Sequence, residues 1–335
     1  MSHRLVEASV TTDFVWDYAQ TRPPLTKLYE KGKASQWNAT TDIDWSPEVR
    51  FGAPLEPIAG AERGRGPLFG EPSPDSPFRR LTEEDRNRLR WEFQAWMVSQ
   101  FLHGEQGALV ATSRLVETVP DIDSKYYAAN QVADEARHVE AYARYLDEKL
   151  GHSYPISAPL ESLLVDIMTE RRWDITYLGM QIMVEGLALA AFGLGNMVFH
   201  DPVIKQITDY VMRDEARHVA FGVLSLQGLY PTMTSAELAD REDFLLEATS
   251  LMYERFLLDQ VWERMDIDVE AGKQFARQSA IMRGFRQMLF SKIVPNIRKL
   301  GLLTPRVRDH YETLGILQFQ EALDSASEVD PGLVG

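Results

Sequence analysis

Asp134-Glu135-Ala136-Arg137-His138 and Asp214-Glu215-Ala216-Arg217-His218 are one pentapeptide met twice in this chain of 335 residues. On a helix, residues i and i+3 share a face, so Glu135 with His138, and Glu215 with His218, each aim a carboxylate and an imidazole at the same neighbour. A Glu stands thirty residues ahead of each copy (135 − 105 = 30, 215 − 185 = 30), in segments that otherwise read as apolar helix. Glu105, Glu135, His138, Glu185, Glu215 and His218 are therefore the candidate metal ligands. Two helices that give one Glu each and two that give a Glu-x-x-His pair are what a carboxylate-bridged two-metal site in a four-helix bundle requires.

A single Glu-x-x-His is common on solvated helix faces and means little. Recurrence of the whole pentapeptide, with equal offsets to an upstream Glu, decides for the metal reading. Four carboxylates, two imidazoles and no sulfur suit iron or manganese, and open coordination positions would let iron meet O2. Asp134 and Asp214 are expected to accept from the second nitrogen of a ligating His, with Arg137 and Arg217 paired to them. The bland alternative for that quartet is charged helix surface.

Tyr142 follows His138 by one turn on the ligand face and could relay a proton or electron; a packed core Tyr is the competing reading. Its counterpart after His218 is Gly222. Small residues follow Glu185 (Gly186, Ala188, Ala190, Ala191, Gly193, Gly195) and either permit close packing or open an apolar cavity with Val98, Phe101, Leu109 and Phe192. His103, His152, His200 and His310 have no partner at ligand spacing.

Hydrophobic residues make up 44% of the chain, enough for a large core, and the net charge of −15 argues against a nucleic-acid partner. Cysteine is absent, which excludes disulfides, Cys-held clusters and thiolate catalysis and fits a cytoplasmic protein. No signal-peptide pattern and no uninterrupted membrane-length apolar run are expected; the nearest segment, Ile182 to Phe199, carries Glu185 and Asn196.

Residues 1–78 read as an irregular extension broken by prolines, with a helix over Pro24 to Trp37. Its aromatics (Phe14, Trp16, Tyr18, Tyr29, Trp37, Trp45, Phe51) suggest a wrap packed on the bundle, or a subunit-contact arm. Residues 79–230 form the expected bundle. Its first helix runs from the Thr82/Asp85 capping box to about Glu117, the second from Asp121–Ser124 to Gly151, the third without interruption from Pro159 to His200, and the fourth from Asp201-Pro202 to Gly228. Residues 231–335 are expected to cover the bundle with three long helices: Thr234 to Met265, Glu270 to Leu300, and Thr304 to Ala326. The expected fold class is all-α, a four-helix bundle with a dinuclear metal site.

These motifs resemble the ferritin-like di-iron carboxylate superfamily over residues 82–228. Its members include monooxygenase hydroxylases, acyl-carrier-protein desaturases, ribonucleotide reductase small subunits, aldehyde-deformylating oxygenases and aryl-amine N-oxygenases. The Asp-Glu-x-Arg-His form is most similar to the hydroxylases and some desaturases, and the Glu135 to Glu185 interval to the desaturases and deformylating oxygenases. Val211 stands where the N-oxygenases carry an additional His, and Tyr142 matches the radical-Tyr position of the reductase small subunits. The resemblance implies two Fe ions, or Mn/Fe, with O2 as co-substrate and an external electron donor such as a reductase or ferredoxin. It further implies a homodimer and oxidation of a small or mid-sized apolar or aromatic substrate, free or carrier-bound, by hydroxylation, desaturation or N-oxidation. A radical-generating small subunit is the alternative, and a ferroxidase or iron store a more distant one.

Overall fold

The computed structural model describes residues 4–49, 81–199 and 201–333. His200, Phe51 and the stretch containing Pro54 to Pro77 lie outside the described residues. Among the described residues all regular structure is helical.

Three of the bundle helices begin where a side-chain oxygen of Thr82, Asp121 or Asp201 meets unsatisfied N–H groups. Helix α1 (Pro23–Ala34) precedes the bundle. Helix α2 (Glu83–Thr118) starts from the Thr82/Asp85 capping box, and α3 (Ile122–Tyr145) from Asp121, whose carboxylate accepts from the Ser124 N–H. A π turn, Leu146–Leu150, ends α3 at Gly151, where φ of +71° suits glycine.

The expected third helix is two. Helix α4 (Ala158–Thr169) stops, Glu170, Arg171 and Arg172 leave the helical path, and the chain re-enters as α5 (Trp173–Tyr177). The reason is local: the Glu170 carboxylate accepts from the Arg171 and Arg172 N–H groups, which fixes a turn where the sequence shows neither Gly nor Pro. From α5 the chain continues through a π segment, Leu178–Val184, into α6 (Glu185–Val198). Helix α7 (Pro202–Leu226) starts with Pro in its first turn behind an Asp201 cap.

The α2–α3 pair and the α6–α7 pair pack along their lengths, α3 meets α7 at the centre, and α1 lies across both. The stretch Trp173–Asn196 is long and apolar enough to cross a membrane by length and composition, and most of its apolar window is buried inside the protein.

The C-terminal helices are shorter than expected. Helix α8 (Ser235–Glu254) opens with the Thr234/Glu237 capping box, then gives way to a 3-10 turn, Arg255–Leu257. Leu258, at φ +63°, breaks the path before α9 (Asp259–Arg264). Helices then follow at Val269–Gln278, Ala280–Met288 and Ile293–Lys299 where one was expected, because Ser279 both ends one helix and caps the next. Pro305–Leu314 ends at Gly315, short of Ala326. In the N-terminal extension Trp37 is buried and Tyr29 and Trp45 pack against the core, whereas Phe14, Trp16 and Tyr18 are exposed.

Candidate metal centre

Helix geometry turns Glu105 of α2, Glu135 and His138 of α3, Glu185 at the start of α6, and Glu215 and His218 of α7 toward one point in the bundle. All six are at least 95% buried. Ligand atoms of Glu105, Glu135, His138 and Glu215 lie within 4.8 Å of one another, and those of Glu135, Glu185 and His218 form a second such group. His138 Nδ1 is 3.1 Å from Glu105, 3.3 Å from Glu135 and 3.2 Å from Glu215. His218 Nδ1 is 3.1 Å from Glu135 and 3.4 Å from Glu215. Glu135 and Glu215 thus lie between the two imidazoles, as bridging carboxylates would, and Glu105 and Glu185 flank them. This is the ligand layout of a ferritin-like di-metal bundle.

The cluster's unsatisfied atoms fit metal ions. Glu135 Oε2, Glu185 Oε2, both oxygens of Glu215 and His218 Nδ1 are buried without a well-aligned hydrogen bond. Buried acceptors left unpaired are costly, and two divalent cations between these oxygens and nitrogens would satisfy them together. Without metal, electrostatics are in conflict. Burial, and then Glu215, pushes the carboxyls of Glu105 and Glu185 well above their usual range. Burial opposes charge on Glu135 too, but His218 and His138 outweigh it and hold that carboxyl below its usual range. Burial likewise disfavours protonated His138 and His218, yet Glu105 beside the first, and Glu135 and Glu215 beside the second, carry both well above an ordinary imidazole. Protons occupy the place that cations suit.

The aspartates support the histidines crosswise. His138 Nε2 is 3.1 Å from Asp214 of the other repeat, and His218 Nε2 is 3.2 Å from Asp134. Each Asp therefore holds the imidazole across the bundle while Arg137 and Arg217 pair within their own repeat, to Asp134 and Asp214 respectively. With Nε2 tied to a carboxylate, Nδ1 is left facing the cluster. His103 and His152 lie elsewhere, on Tyr154 O and Glu92, and His310 stands by Ser250.

Three neighbours escaped the sequence reading. Trp37 donates its indole N–H to Asp214 Oδ2 at 2.7 Å, the oxygen that faces His138, and stacks on Tyr210 at 4.9 Å. Gln131, one turn before Glu135, donates to Glu135 at 3.0 Å and Glu185 at 2.8 Å. Arg255 reaches the site from the break after α8. Only Gln131 carried a signal, since a position four before a ligand shares its face; Trp37 and Arg255 arrive from distant segments.

Tyr142 is fully buried between Phe101 (5.8 Å) and Phe192 (6.1 Å). Its hydroxyl has no well-aligned partner, and burial, then Glu105, pushes it well above the usual phenol range. A narrow cavity adjoins the cluster, with about 20 Å³ free to a water-sized molecule; Phe101 and Ala188 line it, as do Glu105, Glu185, Glu215 and Arg255. Val98, Leu109 and Phe192 do not. Val98 is buried two turns before Glu105, Phe192 packs behind Phe101 at 4.6 Å, and Leu109 turns to a partly exposed flank.

No protein-family model matches the chain, and no curated protein matches it. Among solved structures it is similar to a variant of an R2-like ligand-binding oxidase with anaerobically reconstituted Mn/Fe cofactor. The two share 17% identity over 82% of this chain and 93% of that one, with a TM-score of 0.49. It is similar also to the R2-like ligand-binding oxidase with aerobically reconstituted metal cofactor after photoconversion, at 16% identity over 90% and 94%, with a TM-score of 0.43. These likenesses are too distant to carry anything across; the six-residue cluster stands on this chain's own geometry.

Proposed function

We propose that this protein is an O2-dependent di-metal oxidase, holding two iron ions or manganese and iron, that oxidises a small or mid-sized apolar organic molecule. The observation that carries this reading is the buried set of four carboxylates and two crosswise-supported imidazoles. A pair of such ions supplies O2 reduction and the oxidising equivalents when bound. Glu105, Glu135, His138, Glu185, Glu215 and His218 would hold them, with Glu135 and Glu215 the carboxylates that reach both imidazoles. An oxygen-rich set of this kind would suit iron or manganese, the ions that supply O2 chemistry.

The chain's own residues set the conditions. Gln131 orients Glu135 and Glu185 through its amide, and Asp214 and Asp134 orient the imidazoles. Phe101, Leu187 and Ala188 keep the cavity apolar and exclude water, which would quench a strong oxidant. With so little free volume, anything larger than O2 or water enters by displacing side chains such as Phe101 and Phe256. Trp37, hydrogen-bonded to Asp214 and through it to His138, is the route by which an external donor such as a ferredoxin or reductase would deliver electrons. Hydroxylation, desaturation and N-oxidation are all open to such a centre.

A radical-generating role has one observation in its favour, the buried Tyr142 hydroxyl that lies near the cluster without a well-aligned hydrogen bond. The discriminating experiment is anaerobic reconstitution with Fe(II), metal counting, then mixing with O2 under optical and EPR detection. About two ions per chain with O2 uptake and no lasting radical supports the oxidase. A persistent radical lost in Tyr142→Phe supports the second role. Full metal retention in Glu135→Ala and His218→Ala would refute the site.

A further inference from the structure

Arg255 is 7% exposed, and among the described residues it has no carboxylate partner. Its Nε has no hydrogen bond, one terminal nitrogen meets only the Met252 sulfur at 3.7 Å, and the guanidinium lies 5.0 Å from the Phe256 ring. Burial is the one influence on its titration and pushes it down to about 9, which leaves it charged at neutral pH. A buried, uncompensated cation destabilises a fold, so its retention needs a reason. The backbone around it is also set against preference: α8 ends at Glu254, and Leu258 sits at φ +63°, a region that strains a non-glycine residue. That break turns Arg255 into the cavity shared with Glu105, Glu185 and Glu215.

We propose that Arg255 anchors the carboxylate of an anionic organic substrate, whose apolar part then lies along Phe101 and Ala188 toward the metal pair. The substrate class becomes a monocarboxylate with an oxidisable apolar body, bound by its charged end at Arg255 instead of at the metals. A planar guanidinium with free N–H donors matches a carboxylate in two parallel hydrogen bonds. Such a pair neutralises the cation when substrate enters and leaves the metals' free positions to O2. The cavity's polar ends divide the work: Arg255 for recognition, the Glu/His cluster for oxidation. This proposal rests on the oxidase reading for its chemistry, but the binding site itself does not.

The test uses the full chain loaded with Mn(II), which fills the centre without O2 chemistry, and titrates straight-chain carboxylates from butanoate to octanoate against the matching primary alcohols by calorimetry. In the wild type at least one carboxylate binds more tightly than its alcohol. Arg255→Met weakens that carboxylate on the order of 30-fold or more, as loss of one partner of a buried charged pair does, and leaves the alcohol unchanged. Arg255→Met also melts at a higher temperature than the wild type, because an uncompensated charge has gone, and the carboxylate raises the melting temperature of the wild type alone. A carboxylate that binds Arg255→Met as well as wild type, or a wild type that binds no carboxylate better than its alcohol, overturns the proposal. Metal content is read in the same samples. Loss of Mn(II) binding with carboxylate binding intact would overturn the oxidase reading and spare the anchor; two Mn(II) per chain with no Arg255 dependence would do the reverse.

Discussion

At the scale of single residues, the unusual feature is that each repeat's aspartate serves the other repeat's histidine. Asp214 accepts from two donors at one oxygen, the indole of Trp37 and the imidazole of His138. Asp134 faces His218 through Oδ2, which also accepts from Asn130 at 3.3 Å, while its Oδ1 accepts from Gln36 at 2.9 Å. The two halves of the site thus have like geometry and unlike surroundings. Asp214→Asn should lower metal affinity about 10- to 100-fold at the position held by His138, and Asp134→Asn at the position held by His218. Titration with limiting Mn(II) followed by EPR checks this; identical behaviour of the two variants would refute the crossing. Trp37→Phe keeps the ring and removes the N–H, so metal content should hold while reduction by an external donor slows. Stopped-flow reduction of the oxidised centre measures it, and an unchanged rate would remove Trp37 from the electron path.

At the scale of elements, the pseudo-twofold pattern of the sequence is broken in the helix that carries Glu185. A π segment, Leu178–Val184, runs into that ligand, while the helix that carries Glu105 is α-helical throughout. Such segments are rare and gather at functional sites. Gly222 makes the packing possible: a Cβ there would stand 2.6 Å from the Gln181 Cβ and 3.2 Å from the Ile182 side chain. Tyr142, at the matching position, has instead a slot between Phe101 and Phe192. Gly222→Ala should therefore destabilise the protein by about 1–3 kcal/mol. It should also lower metal content, since the clash falls on the segment that sets Glu185. Thermal unfolding with metal analysis tests both; an unaltered melting temperature would mean that the two helices sit farther apart.

For the whole molecule, the centre couples folding to pH. Glu105, Glu185, His138 and His218 all bind protons more tightly when folded, the carboxyls first through burial and the imidazoles through their carboxylate neighbours against burial. A raised folded value gives stability that is complete below the unfolded value and is lost as pH rises through the folded one. Glu135 and Asp214 run oppositely, held low despite burial by His218 and His138 respectively, so their contribution is present above their ordinary values of 4.5 and 3.8 and fades in acid. The metal-free protein should accordingly be most stable in mild acid and lose melting temperature as pH rises above the ordinary carboxyl value of 4.5, and further above the ordinary imidazole value of 6.5. Metal replaces those protons, so the Mn(II)-loaded protein should gain stability over the same range. Calorimetric scans with and without Mn(II) decide this, and parallel curves would show that the ions bind elsewhere.

The all-helical class, the four ligand-bearing helices and all six cluster residues were legible in the sequence, because helical period puts Glu and His three apart on one face and a repeated spacing survives without coordinates. Caps at Thr82, Asp121, Asp201 and Thr234 were legible for the same local reason. What remained hidden depends on contacts between segments far apart in the chain. No spacing tells that Asp214 turns to His138 rather than His218, because that choice is made where α3 meets α7. Trp37 reaches Asp214 from an extension without sustained period, and the chain breaks at Glu170–Arg172 and Leu258 carry neither Gly nor Pro. Arg255 reads as half of an adjacent Glu254-Arg255 pair in an apolar run; only the tertiary fold shows it buried, without a carboxylate partner among the described residues and facing the cavity beside the Glu/His cluster. Local geometry placed the six Glu and His of the cluster, and long-range packing decided what surrounds them.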